Sequence, residues 1–201
     1  DVSYYVRAGK PLDVEAQRRG NSTYFPDRVV PMLPEALSND LCSLRPNEDR
    51  AALAAHMWID KNGKLVKHKF VRALIRSHAR LIYEQVQAAH DGVTDDKTEG
   101  LVDTIITPLY EVFEVLDKAR RKRGALDLDL PERQILIDEN GNMNGVKQRI
   151  RLDAHKLIEE FMILANVAAA QALENKRAPC VYRVHDKPSM DKLESAREFL
   201  E

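Results

Sequence analysis

The sequence predicts an α+β fold, a mixed, largely antiparallel curved sheet with helices packed around it. Two observations carry this. Asn62-Gly63 and Asn140-Gly141 each sit between strand-favouring runs, and Asn-Gly supplies the positive φ values that a tight hairpin turn demands. Two helix-length stretches, over 99–123 and 153–176, are rich in apolar residues, and the first of them carries a helical apolar face.

Taken in order, the opening run Val2-Ser3-Tyr4-Tyr5-Val6 predicts a strand ending near Arg7, broken by Gly9 and Pro11. Asp13 is the expected N-cap of a short helix through Arg19, stopped by Gly20-Asn21. Residues 18–44 follow, punctuated by Pro26, Pro31 and Pro34; they read as a rigid, irregular connection with a short helix at 35–39. The first hairpin joins 51–60 to 64–77 and places Leu53, Ala55, Met57 and Ile59 on one face. A helix over 83–90 continues from it, and 91–100 is the most loop-like interior segment. The 99–123 helix sets Leu101, Ile105, Val112, Leu116 and Ala119 near one face, with a kink at Pro108. Its basic end, Lys118 to Arg123, suits the negative pole of a helix C-terminus. The second hairpin pairs 134–138 with 143–151. The 153–176 helix is expected to be largely buried, and a strand over 180–185 leads to a closing helix at 189–200. Residues 1–201 read as a single domain without internal repeats.

Composition narrows the class. A chain of 201 residues with 44% hydrophobic and 31% charged side chains is ordinary for one globular domain. No apolar run approaches the ~20 residues that a membrane span requires, and DVSYYVRAGK has no apolar signal region; no membrane partner is expected. Cys42 and Cys180 lie far apart, outside any CxxC pair, which points to buried thiols in a reducing cytoplasm rather than to a disulfide or zinc. The formal net charge of −1 gives no basic excess, so any nucleic-acid claim must rest on motifs or on charge separated between faces. A chain that opens on Asp1 within a β-favouring run reads as an internal fragment.

Few residues carry chemistry on spacing alone. His155, Glu159, Met162 or Ile163, and Asn166 share a stripe of the 153–176 helix. Such a stripe is either a wetted helix edge or salt bridge, or a groove-lining face whose carboxylate accepts from sugar hydroxyls. Pro26 holds Phe25 extended and so sends Tyr24 and Phe25 to opposite sides. Tyr24 is then a packed ring or a base-stacking platform. Tyr83, where strand gives way to helix, is either helix packing or a donor at a cleft edge. The six histidines form no HExxH or HxxxH. Asp127-Leu128-Asp129 is a weak magnesium pattern and reads better as a solvated edge. No Walker loop, GxGxxG or GxSxG is present.

Six blocks in order resemble a known family: DVSYYVRAGKPLD, RRGNSTYFPDRVVPMLPEALSNDLCSLRP, ALIRSHARLIYEQV, RGALDLDLPE, RLDAHKLIEEFMILANVAAA and YRVHDKPS. Together they look like the central part of the RNB catalytic domain of the ribonuclease R and ribonuclease II family, nearer to the bacterial ribonuclease R branch. The resemblance implies a processive 3′-to-5′ exoribonuclease that hydrolyses single-stranded RNA to nucleoside 5′-monophosphates with Mg2+; DNA is not an expected partner. It implies that the ring at Tyr24 stacks near the terminal nucleotide. Tyr83 and Glu159 would contact ribose, and Leu128 falls about where ribonuclease II has an aromatic wedge. It further implies that the family's metal-binding aspartates lie upstream of DVSYYV and its scissile-phosphate arginine downstream of Glu201. The fragment would then be inactive alone, with no catalytic residue of its own. The alternatives are a non-catalytic RNA-binding module and a structural domain that has lost RNA binding.

Overall fold

A computed structural model describes residues 1–126 and 130–200. The described residues are α+β, and all their strand ladders are antiparallel. They form two compact units, Asp1–Ala168 and Ala169–Glu201.

The first unit opens with helix α1 (Val2–Tyr5), which corrects the strand expected over 2–6. β-propensity expresses how a side chain fits a paired, half-buried surface, and this run has no ladder partner. Its start is instead tied to the first hairpin, where Arg72 Nε meets the Asp1 carboxylate at 3.0 Å. Helix α2 (Pro11–Arg19) starts three residues earlier than expected, with Pro11 in its first turn and Lys10 at the N-cap. Asp13 is therefore not the cap. Its carboxylate reaches back to accept the Gly9 N–H at 2.8 Å and takes a second bond from Gln17 at 2.9 Å.

A two-residue ribbon follows, β1 (Thr23–Tyr24) against β2 (Val29–Val30). The short helix after Pro34 is a π-helical turn over Ala36–Leu41. Strands β3 (Asp49–Ile59) and β4 (Leu65–Arg76) form the long hairpin, with Asn62-Gly63 in its turn. Its less exposed face changes part-way: Ala52 is buried, Ala55, Met57 and Ile59 are half-buried, and Leu53 is 63% exposed. Leu53 is thus not on the packed face that simple alternation assigns to it.

Helix α3 (Tyr83–His90) matches its expected bounds. The long helix after it is composite: a 3-10 turn (Glu99–Leu101), a π turn (Val102–Ile106), then α4 (Thr107–Lys122). Pro108 lies in the first turn of α4, where its missing N–H is not needed, so it marks a start and not an interior kink. The π turn shifts the phase of the apolar stripe. Ile106, Tyr110, Phe113 and Leu116 are buried, whereas Ile105 is exposed. Ala89, Ile106, Tyr110, Phe113 and Leu157 make the core, flanked by Val86, Leu109 and Phe161.

Strands β5 (Glu132–Ile137) and β6 (Met143–Arg149) form the second hairpin around Asn140-Gly141. Helix α5 (Asp153–Asn175) runs on into the second unit. It is less buried than its composition predicts: Ala154, Leu157, Glu160 and Ala168 are buried, while Ile158, Met162, Ile163 and Val167 are exposed. In the second unit, residues 180–185 form no strand, and Tyr182 donates its hydroxyl hydrogen to Glu174. Helix α6 (Met190–Leu200) ends the described chain. Cys42 and Cys180 are free and half-buried rather than fully buried. No described helix is long and apolar enough to cross a membrane.

Candidate functional site

Helix α3 and the first turns of α5 meet around Gln87 and His155. The Gln87 side-chain oxygen accepts from the Tyr110 hydroxyl at 3.2 Å and from the Ala154 N–H at 3.1 Å. One amide thereby joins α3, α4 and α5. At the start of α3, Gln85 accepts the Ile82 N–H at 3.1 Å and donates to Asp95 at 2.7 Å. Asp95 also accepts from the Thr98 hydroxyl at 2.9 Å, and these bonds hold its carboxyl below the ordinary carboxylate range, that of Thr98 most of all.

These anchors fix Tyr83, the first residue of α3. Its half-exposed ring stacks on His155, with centroids 4.1 Å apart and planes at 21°. His155 Nδ1 accepts the Leu152 N–H at 3.1 Å, which leaves Nε2 as the position for a proton on the neutral ring. His155 lines three clefts, two of which bear on the site. One, of about 650 Å3, has Glu84, Arg133, Lys147 and Arg149 in its wall. The other, of about 580 Å3, is lined by Arg80, Tyr83, Leu109 and Ile158.

One turn beyond His155 lies Glu159. Its Oε1 accepts from Arg120 at 3.2 Å and its Oε2 from Arg151 at 2.6 Å. The same Arg120 Nη1 donates at 2.9 Å to Glu160, which is only 4% exposed. A carboxylate held by two guanidiniums keeps a fixed orientation, and its remaining lone pairs can accept from hydroxyl groups.

Tyr83 is thus tied to His155, and Glu159 follows His155 by one turn of α5. Tyr24 belongs to a separate feature. It lies in the β1–β2 ribbon, 78% exposed, and no hydrogen bond or ring contact among the described residues links it to Tyr83 or Glu159. Phe25 is also exposed, with the Arg28 guanidinium 5.0 Å from its ring centroid, so neither ring packs inward. Leu128 lies outside the described residues.

Sequence reasoning missed Arg120 and Arg151. Arg120 sits inside the basic run at the end of α4, where helix polarity already accounts for a cation. The available signal was Glu159-Glu160 on an apolar helix, because a buried carboxylate requires a cation from another element. Among the described residues no three His, Cys, Asp or Glu side chains converge as metal ligands.

The RNB domain family matches residues 1–201. Ribonuclease R of Escherichia coli (strain K12) is 44% identical over 202 residues, covering 100% of this chain and 25% of that protein. The chain thus spans about a quarter of the length of this curated relative. The structure of Mycoplasma genitalium RNase R with ribose methylated single-stranded RNA aligns with a TM-score of 0.91 at 33% identity, covering 98% of this chain and 31% of that one. Yeast Ssd1, a pseudonuclease, aligns with a TM-score of 0.73 at 17% identity over 99% of this chain and 24% of that one, a likeness of fold alone.

Proposed function

Because the chain belongs to the RNB domain family, we propose that it is part of a processive 3′-to-5′ exoribonuclease that hydrolyses single-stranded RNA to nucleoside 5′-monophosphates. In this reading the chain supplies walls of the RNA path. Tyr24 stacks on a base near the 3′ end, while Tyr83 and Glu159 meet ribose, and a ribose 2′-hydroxyl is what separates RNA from DNA. Leu128 takes the place of an apolar wedge against the bases.

The observation that carries the reading is the shared placement of Tyr83 and Glu159. A half-exposed Tyr83 ring stacks on His155, and one turn along α5 from His155 the Glu159 carboxylate is oriented by two arginines. A stacking face beside an aligned acceptor suits a nucleoside, whose base has a π-face and whose sugar donates hydroxyl hydrogens. The relationship to ribonuclease R along the whole chain supports the same assignment.

The chemistry that a bound magnesium ion would supply in the parent is an activated water and a stabilised leaving oxygen. In this reading the metal chemistry belongs to residues of the parent outside this chain, which is inactive by itself, and the parent works in the cytoplasm. What the present residues do is bind, orient and discriminate.

The test is a degradation assay of the intact protein on 5′-labelled single-stranded RNA with magnesium, alongside the 201-residue chain alone. The expected result is product shortened from the 3′ end for the former and none for the latter. RNA shifted in a gel yet unshortened by the intact protein would overturn the nuclease reading in favour of a binding module. The related fold of a pseudonuclease makes that second reading worth the measurement.

A further inference from the structure

The turn of the long hairpin and the last turns of α4 face each other across a cleft of about 500 Å3. It shares no lining residue with the clefts around Tyr83 and His155. Lys61 and Lys64 project from the turn; Lys118, Lys122 and Arg123 come from the helix end. No carboxylate lines it.

The two walls are held together by Gly63. Its φ is +75°, and a Cβ there would stand 2.7 Å from the Ala119 Cβ and 3.0 Å from the Val115 carbonyl oxygen. The turn can approach the helix this closely because the residue is glycine.

The charge arrangement is selective. Two other arginines at this end of α4 are matched: Arg121 meets Asp117 at 2.8 Å, and Arg120 meets Glu159 and Glu160. Among the described residues Lys61, Lys118, Lys122 and Arg123 make no ion pair with a carboxylate, and all are exposed. Asp60, beside the turn, spends its Oδ1 on the Asn62 and Lys64 N–H groups. Lys118 and Lys122 are an i,i+4 like-charge pair, which weakens a helix by roughly 0.2–0.5 kcal/mol. Helix polarity explains cations at the end of α4; it does not explain two more lysines on the opposite wall.

We propose that this cleft binds the phosphate backbone of a nucleic acid, apart from the Tyr24, Tyr83 and Glu159 positions. Cations on both walls suit a line of repeating anions, and the lining contains no aromatic ring on which a base could stack. Only Val115 and Ala119 are apolar there, too little to anchor an acidic peptide. The contact is therefore indifferent to sequence and to the 2′-hydroxyl. It rests on the RNA reading above only for which polyanion is met in the cell.

The test measures binding of labelled oligo(U) and oligo(dT) to the intact protein in EDTA, across a range of salt, by fluorescence anisotropy. Lys118→Gln/Lys122→Gln and Lys61→Gln/Lys64→Gln are compared with Lys10→Gln/Lys97→Gln, a double change outside the cleft. Each cleft pair is expected to lower the log–log salt slope by about 1.4 and to weaken both polymers alike, roughly tenfold or more at low salt. The control pair leaves the slope unchanged. An unchanged slope in the cleft variants, or a loss confined to oligo(U), overturns the proposal. So does polyglutamate displacing oligo(dT) as effectively as unlabelled oligo(dT) does. If the intact protein fails to degrade RNA yet both polymers still lose affinity in the cleft variants, the nuclease reading falls and this one stands. The substituted lysines are exposed, so an unchanged thermal midpoint checks that the fold is intact.

Discussion

Tyr83 and His155 stack nearly face to face, 4.1 Å between centroids, joining the first residue of α3 to the first turn of α5. Such a pair is worth ~0.5–1.5 kcal/mol beyond its buried area. In a double-mutant cycle, Tyr83→Ala and His155→Ala are expected to show a coupling of that size in urea unfolding. Single changes that add without coupling would remove the stack as the source of the ring's orientation.

Arg120 and Glu160 are expected to be the most expensive pair to break, since Glu160 is buried and, among the described residues, Arg120 is the cation that pairs with it. Arg120→Met leaves that carboxylate unpaired and should cost about 3–5 kcal/mol. Arg120→Met/Glu160→Leu should recover much of the loss, because two apolar side chains of similar size replace two charges. Urea midpoints of the three proteins settle it; a double variant no better than the single would refute the account.

Tyr24 is exposed and touches no ring of the Tyr83 group, so Tyr24→Ala should leave stability within about 0.5 kcal/mol. On the proposed nuclease reading, the same change in the intact protein should lengthen the final undegraded oligonucleotide, since one base stack is worth ~1–3 kcal/mol. An unchanged end product, read on a sequencing gel, would take Tyr24 out of its proposed role.

Glu159→Ala removes the carboxylate that Arg120 and Arg151 orient. The ratio of RNA to DNA affinity is expected to narrow by about tenfold or more, the scale of one charged hydrogen bond at ~1.5–3 kcal/mol. A ratio equal to wild type, with both affinities measured in the same buffer, would contradict the ribose contact.

Tyr110 is 3% exposed, and burial, with Asp153 and Asp91 adding to it, pushes its phenol from 10.0 up to about 12. The folded state thus favours the neutral phenol. The stability this gives is fully present below pH 10 and is lost as pH rises from 10 towards 12, on the order of 2 kcal/mol. Tyr110→Phe should lack that alkaline component, at the expense of the hydroxyl's bond to Gln87. Unfolding measured from pH 9 to 12 in both proteins checks it, and parallel curves would refute it.

Local chemistry was legible wherever it fixed the backbone. Asn62-Gly63 and Asn140-Gly141 turn both hairpins, and Tyr83–His90 falls where its spacing places it. The readings failed where distant packing decides. Val2–Val6 carries strand-forming residues, yet without a ladder partner it coils into α1. A π turn before Thr107 rotates the apolar stripe, burying Ile106 and exposing Ile105. Residues 180–185 form no ladder.

By itself the sequence determined the α+β class, the two hairpins, the bounds of α3 and membership in the RNB domain family, because turn chemistry, apolar period and ordered motifs are all local in the chain. Only the tertiary structure decided which side chains meet. Tyr83 on His155, Arg120 on Glu159 and Glu160, and the lysines facing each other across Gly63 are each joined from separate elements. Their pairing follows from how the helices and the hairpin pack, and residue spacing along the chain does not encode that.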